Sequence, residues 1–432
     1  MAVRANIKDF APQLVTTSDK LSSCWLQLES LILNSSKACV VGDCLSIGVF
    51  TQVFPIKVVK KVLAETGKET VRERLLPNHI VVYYVLAMAM LMTASYREVM
   101  RWLLEGSRTV RALKVPTKPM AKSGISQARE RLGWKPFELL YQQFVQPIAT
   151  EATKGAWYRK LRLVSIDGSS IDVSDTPENE KEFGRHVGSR GKKRSAFPKL
   201  RIASLIENGT RVLFGMAFGP YATTSEMDLA WQVIKSLREG MLCLADRYYF
   251  GYELWQAARQ TNAHLLWRVK TNLILKAEKQ LPDGSYLAKI YRSTQDRKHK
   301  RNGIQVRVIE YKFKWVRGTG SYRLLTTILD HLEAPADELA AVYHERWEIE
   351  TALGECKTKL KGPTVIMRSK TPELVRQEFY GFMLTYFVIR KLLHEAALQA
   401  DEDPDRLSFQ HTVQVIRRKI HLFRTFPPAA LA

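Results

Sequence analysis

The sequence predicts an α/β protein with a mostly helical N-terminal part, a mixed-sheet core and C-terminal helices. Three observations favour this class: helical apolar spacing in the N-terminal third, short apolar runs alternating with helical ones in the middle, and long helical periodicity near the C-terminus. With 432 residues, 46% of them hydrophobic, the chain is long enough for two or three domains and a sizeable core. The expected domains are 1–150, 151–370 with a β-rich insertion at about 271–330, and 371–432.

The composition is strongly basic. Lys and Arg number 66 against 43 Asp and Glu, which gives a formal net charge of +23 and a pI near 9.8. These residues are spread along the chain and not gathered in a tail, so we expect the folded surface to meet a polyanion. Nucleic acid is the leading partner, and an acidic membrane surface or plain solubility is the alternative.

The cysteine content and the length of the apolar runs indicate the cellular compartment. Five cysteines without CxxC spacing indicate a reducing compartment and argue against structural zinc. The first ten residues lack the apolar stretch of a signal peptide. The longest apolar run, 80–94, is shorter than the roughly 20 residues of a membrane span and is expected to form a buried helix. We therefore predict a cytoplasmic protein without membrane contact.

The N-terminal part contains several amphipathic segments, among them 58–63 and 96–104. A further helix is predicted after Ser126; it carries Arg129 and ends near Gly133. A short basic helix that follows other helices fits a helix-turn-helix-like DNA reader. An ordinary basic surface helix fits equally well, and the sequence leaves both interpretations open.

The core begins with an apolar strand, 161–166, predicted to end on Asp167 just before a glycine, where a carboxylate can face a ligand. A hairpin with an Asn-Gly turn and a helix capped by Ser225 follow. A second apolar strand ends on Asp246, and a helix over 336–361 carries Glu350. This order of elements is that of an RNase-H-like mixed sheet, where carboxylates from two neighbouring strands meet one from a facing helix.

The last of these helices carries a polar stripe. At about 100° per residue, a sector of roughly 60° holds Tyr343, Arg346, Glu350 and Lys357. One carboxylate, two cations and a phenol on one stripe suit an anionic, metal-bound ligand such as a phosphate backbone. A salt-bridged surface helix is the alternative, because Arg346 and Glu350 have i,i+4 spacing. The neighbouring acids are expected to be solvated: Glu345, Glu348 and Glu355.

Asp167, Asp246 and Glu350 are the candidate catalytic and metal-binding residues. Three carboxylates suit two hard divalent cations, with Mg²⁺ expected and Mn²⁺ a possible substitute. Such a pair can activate a water or a 3′-hydroxyl and stabilise the leaving oxygen of a phosphodiester. Glycosidase-like or aspartic-protease-like carboxylate pairs are alternatives, but neither explains the net charge.

The motifs around these acids resemble those of the insertion element four family, a bacterial cut-and-paste group of DDE transposases. Its signature is Tyr, two residues, Arg, three residues, Glu, six residues, Lys, and the stripe matches it without a gap. The stretches 164–168 and 244–250 resemble the family's two Asp motifs. The long interval before Glu350 fits the family's β-strand insertion, and the similarity extends over about residues 50–400.

The resemblance implies a DNA transposase that binds the terminal inverted repeats of its own element. It would cleave at the element ends and transfer the 3′-OH strands into target DNA, with the three acids holding metal. The other three stripe residues would contact DNA phosphate near the cleavage site. A nucleoid-associated homodimer is implied because two ends must be brought together, with the helices from Pro372 onward as the expected contact.

Two further groups of residues are candidates for DNA contact. A basic, glycine-containing loop supplies Arg190, Lys192, Lys193 and Arg194, which could contact phosphate or simply be solvated. In some relatives a tryptophan holds a flipped base. The candidates for such stacking, with a buried core position as the alternative for each, are Trp267, Trp315 and Trp347.

Three other functions are alternatives. A tyrosine recombinase with Tyr343 as nucleophile would need an Arg-His-Arg constellation that the sequence lacks. A catalytically silent DNA-binding regulator of transposition gains nothing from three carboxylates that repel DNA. An RNase-H-like structure-specific nuclease would cut branched DNA without strand transfer.

Overall fold

The protein is described by a computed structural model over part of the chain. The described ranges are 45–70, 76–107, 120–187, 194–315 and 318–422. Residues 1–44 of the predicted N-terminal domain lie outside them, as do three residues of the basic loop, Arg190, Lys192 and Lys193. Within these ranges, every helix is too short or too polar to cross a membrane.

The N-terminal part is helical, as predicted. Its described helices are Leu45–Val53 (α1), Ile56–Glu65 (α2), Asn78–Met90 (α3), Tyr96–Ser107 (α4), Lys122–Leu132 (α5) and Lys135–Phe144 (α6). The apolar run around α3 forms a buried helix, as the sequence predicted. It packs against a long C-terminal helix, and the contact is close because a Cβ on Gly381 would lie 2.5 Å from Cγ1 of Val85.

The core is one mixed sheet formed by ten strands of the described residues. The strands are Trp157–Tyr158 (β1), Leu161–Asp172 (β2), Lys199–Glu207 (β3), Val212–Pro220 (β4), Met241–Ala245 (β5), His264–Arg268 (β6), Lys279–Gln280 (β7), Tyr286–Ile290 (β8), Ile304–Trp315 (β9) and Gly318–Thr326 (β10). Their order is β4-β3-β2-β5-β6-β10-β9-β8-β7, with β1 beside β2. The β2–β5 and β5–β6 pairs are parallel and the others antiparallel, so the predicted RNase-H-like core is confirmed.

The remaining helices cover the sheet or close the chain. They are Pro177–Phe183 (α7), Glu226–Val233 (α8), Tyr252–Arg259 (α9), Thr294–Lys298 (α10), Ala336–Val342 (α11), Trp347–Gly354 (α12), Pro372–Ala400 (α13) and Phe409–Leu422 (α14). Ser225 caps α8 as predicted, in a reciprocal capping box with Asp228. Helix α13 is buried along most of its length against α3 and α6.

Two local predictions were wrong in detail. Strand β2 does not end at Asp167 but continues to Asp172, because its pairing with β3 extends beyond the last β5 partner, Ala245. The expected single helix over 336–361 is interrupted. A 3₁₀ segment, Tyr343–Arg346, separates α11 from α12, and a π-helical segment, Glu355–Leu360, follows α12. The stripe therefore departs from an ideal helical surface.

Candidate active site

The two aspartates project from adjacent points of neighbouring parallel strands. Ile166 on β2 lies opposite Ala245 on β5, so the next residue of each chain segment is an aspartate. Asp167 accepts a hydrogen bond from the backbone N–H of Gly168 at 2.8 Å, and Asp246 accepts one from the N–H of the next residue. The sequence expectation that both acids lie at one point of the sheet is therefore met.

Arg346 connects the first aspartate to the glutamate of α12. Its Nη2 donates to Oε1 of Glu350 at 2.9 Å, and its Nη1 lies 4.0 Å from Oδ2 of Asp167. The arginine side chain is only 8% exposed, and α12 packs on β2 and β3. On β6, Nη1 of Arg268 lies 3.9 Å from Oδ1 of Asp246. Each of the three acids thus lies beside a guanidinium.

The electrostatics of Asp167 are unfavourable for its charged form. Burial is the main cause that raises the pKa of this carboxyl, the nearby charges of Glu226 and Glu350 add to the rise, and the resulting pKa is about 6. The N–H of Gly168 and the guanidinium of Arg346 lower this pKa, but by less than burial and the two carboxylates raise it. The centre therefore carries negative charge that the protein's own cations neutralise incompletely.

Tyr343 contacts the backbone next to Asp246. Its side chain is 3% exposed, and its hydroxyl donates to the backbone carbonyl of Ala245 at 3.2 Å. Burial raises the pKa of the phenol above its usual value. The hydroxyl therefore holds the residue that precedes Asp246, and in this conformation it does not face the surface.

Lys357 lies on the other side of Glu350 from Arg346, in the π-helical segment. Its ammonium donates to the hydroxyl of Ser169 at 3.1 Å, two residues beyond Asp167. The two basic stripe residues therefore contact positions 167 and 169 of β2, which lie on the same face of the strand. Here they lie close enough to the acids to neutralise a phosphate that approaches them.

The expectation that Glu348 and Glu355 are solvated was wrong. Arg211, in the β3–β4 turn, donates to both carboxylates of this helix, with bonds of 2.6 and 3.1 Å to Glu348 and 3.1 Å to Glu355. Glu355 also accepts from Arg390 of α13. Glu355 is buried and Glu348 is partly buried, because the hairpin turn and α13 cover this side of the helix. Glu345 is exposed, as expected.

The predicted DNA-reading helix is present as α5, but Arg129 does not face solvent. Its guanidinium is 1% exposed and donates to Gln377 at 2.8 Å and to Ser369 at 2.9 Å. The DNA-reader interpretation is therefore wrong for this arginine, which instead joins α5 to α13. Helix α5 ends at Leu132, where Gly133 has a φ of +71°, as the sequence predicted, but it begins at Lys122, so Ser126 lies within the helix and does not cap it.

The remaining candidate DNA contacts differ in how exposed their side chains are. Arg194 is 69% exposed, with Glu180 3.7 Å away. Trp267 is fully buried, edge-to-face with Trp255. Trp347 is 48% exposed, and the guanidinium of Arg346 lies 4.8 Å from its ring centroid. The side chain of Trp315 lies outside the described part of the structure.

The chemistry of the three acids fits a hard divalent cation, because all their donor atoms are carboxylate oxygens and their charge is incompletely neutralised. In the described ranges, no three His, Cys, Asp or Glu side chains converge at metal-ligand spacing. The guanidinium of Arg346 lies between Asp167 and Glu350 instead. Cation binding therefore requires these side chains to rearrange around the fixed backbone.

Sequence reasoning missed two charged residues of this region, Arg268 and Glu226. Arg268 follows a run of apolar residues, as the two aspartates do, and this shared pattern could have identified it. Glu226 directly follows the cap of α8, which the sequence identified only as a helix start.

Two protein families match the chain. The insertion element 4 transposase N-terminal family matches residues 44–142, and the transposase DDE domain family matches residues 158–388. Transposase InsG for insertion sequence element IS4 of Escherichia coli K12 is 28% identical over 383 residues, which cover 87% of this chain and 83% of InsG. InsZ of the same strain is 26% identical over 219 residues, covering 50% and 69% of the two chains. A piggyBac transposase synaptic complex with hairpin DNA aligns over 91% of this chain and 84% of that chain, with 11% identity and a TM-score of 0.45.

Proposed function

Because the chain belongs to the insertion element 4 family of DDE transposases, we propose that it excises and inserts its own DNA element. It is a metal-dependent enzyme of DNA cleavage and strand transfer. In the proposed reaction it binds the terminal inverted repeats, cleaves at the element ends and transfers the 3′-OH strands into target DNA. The observation that carries the proposal is the placement of Asp167 and Asp246 on register-matched strands, with Glu350 joined to Asp167 through Arg346.

The three acids are the proposed ligands of two Mg²⁺ ions, for which Mn²⁺ can substitute. When bound, such a pair would activate a water or 3′-hydroxyl and stabilise the leaving oxygen. Arg346 and Lys357 flank Glu350 and would neutralise the phosphate oxygens at the scissile bond. Tyr343 holds the backbone next to Asp246 and so keeps the second aspartate in place; any phosphate contact it makes requires its hydroxyl to leave Ala245.

Further DNA contacts and the domain organisation complete the proposal. We assign DNA binding to the helical domain 1–150 and the basic loop that contains Arg190, Lys192, Lys193 and Arg194. The catalytic domain spans 151–370 with its β-rich insertion at 271–330, and 371–432 closes the chain. We propose a homodimer that holds both element ends. Because α13 is buried within the protomer, the dimer contact must involve other surfaces than this helix.

A cleavage and strand-transfer assay tests the proposal. It uses the purified protein, Mg²⁺ and labelled DNA carrying the repeats that flank its gene, with Asp167→Ala alongside. The wild type should cut at the repeat ends and join them to target DNA, and the variant should do neither. Binding without cutting would favour the silent regulator, and cutting of branched DNA without end preference would favour the nuclease.

A further inference from the structure

A fourth acidic side chain lies beside the three proposed catalytic acids. Glu226 occupies the first turn of α8 and is half-buried. Its carboxylate lies against Gly168, the residue that follows Asp167. The proposed reaction gives Glu226 no part.

Gly168 has no side chain, and this leaves space for the Glu226 carboxylate next to Asp167. A Cβ built on Gly168 would lie 2.4 Å from Cδ of Glu226 and 2.6 Å from its Cγ. Any larger residue at position 168 would therefore displace Glu226 from Asp167. The backbone of Gly168 is not in the left-handed region, so it is the position of the Glu226 side chain, and not the backbone conformation, that a larger residue here would disturb.

The second aspartate segment holds the same carboxylate. Tyr249, three residues after Asp246, donates its hydroxyl to Oε1 of Glu226. The phenol is 1% exposed, and burial and the adjacent carboxylate raise its pKa, so it acts as a hydrogen-bond donor. Glu226 is therefore fixed between the segments that carry the two aspartates.

We propose that Glu226 is a positioning residue of the active site, which adds a fourth negative charge beside Asp167 and so strengthens binding of the divalent cations. This inference rests on the proposed metal-dependent function. A purely structural role is the alternative, because an acid in the first turn of a helix also stabilises that helix through its dipole.

Mn²⁺ binding to the full-length protein without DNA separates these roles. We would measure it by calorimetry for the wild type, Glu226→Gln and Tyr249→Phe, with thermal unfolding of each. Glu226→Gln should weaken Mn²⁺ binding roughly tenfold or more, by analogy with residues that support metal ligands. Tyr249→Phe should weaken it less, since the carboxylate remains. Glu239→Gln, which removes an exposed acid before β5, is the matched control and should bind as the wild type does.

A double variant tests the geometry. Gly168→Ala should displace the flexible end of the Glu226 side chain from Asp167 and so weaken Mn²⁺ binding with little change in unfolding temperature. Gly168→Ala/Glu226→Gln should bind Mn²⁺ no more weakly than Glu226→Gln alone, because the charge that the methyl group displaces is already absent. Wild-type Mn²⁺ affinity in Glu226→Gln, whether or not its unfolding temperature falls, would overturn the inference. Failure of the proposed function would look different, since wild-type protein would then neither bind Mn²⁺ nor cut its repeat ends.

Discussion

Asp167 illustrates how a residue suited to binding a cation costs stability when the cation is absent. In the folded protein its pKa is about 6, above the ordinary value of about 3.9. Burial, the largest cause, penalises the charged form. The folded state therefore binds a proton more tightly than the unfolded state between these two values. The resulting destabilisation is absent below the unfolded pKa, develops as pH rises and is complete above the folded pKa.

Asp167→Asn should accordingly stabilise the metal-free protein. We expect a gain of about 2 kcal/mol at pH 8 and a clearly smaller one at pH 4.5, since each pKa unit corresponds to about 1.4 kcal/mol. Urea unfolding with a chelator at the two pH values measures the gain. Equal gains at both would show that burial of the charge is not the cause.

Glu350→Gln should abolish cleavage while leaving DNA binding nearly intact, because the amide keeps the shape of the side chain but loses the charge that a metal needs. Gel-shift titration and a cleavage assay on the same DNA measure the two properties. Glu345→Gln, an exposed acid five residues earlier, is the control and should cut normally. Cleavage by the Glu350 variant would remove this residue from the metal site.

Lys357→Ala should weaken both end binding and cleavage without abolishing Mn²⁺ binding, because its ammonium reaches β2 beside the acids and does not belong to the ligand set. Lys359→Ala removes an exposed charge two residues away and serves as the control. Comparable losses in both variants would indicate a general charge effect.

At the scale of elements, the order of strands and helices could be predicted because each aspartate follows an apolar run and each turn has its own local signal. The interruptions of the signature helix could not, since ideal 100° spacing assumes regular hydrogen bonding throughout. The burial of Glu355 and Arg129 and the partial burial of Glu348 could not be predicted either. Which side of a helix is covered depends on the hairpin turn and α13, which are distant in sequence.

The buried cluster around Arg211 is therefore expected to fix α12 in place. Arg211→Ala would leave Glu348 and Glu355 without this partner and should destabilise the protein by about 3–5 kcal/mol. Urea unfolding at neutral pH measures the loss. Arg292→Ala, which removes an exposed ion pair with Glu253, should cost less than about 1 kcal/mol. Similar losses for the two variants would mean that the cluster does not support the helix.

At the scale of the whole molecule, the net charge of +23 predicts binding dominated by phosphate contacts. The affinity for element ends should fall roughly 1000-fold or more between 50 and 200 mM salt, as released counterions oppose binding. Fluorescence anisotropy over that range measures the slope. A flat response would show that the positive charges do not face the DNA.

The pairing of β10 with β6 makes the β-rich segment a continuation of the catalytic sheet. From β5, which precedes Asp246, to β7 at the far edge is five strand steps, or about 24 Å at roughly 4.8 Å per step. That span equals about seven base pairs of duplex DNA at 3.4 Å each. Each neighbouring pair of strands on this path is hydrogen-bonded, so the far edge of the sheet lies at a set distance from Asp246. DNA bound at this far edge would therefore lie at a fixed distance from the scissile phosphate.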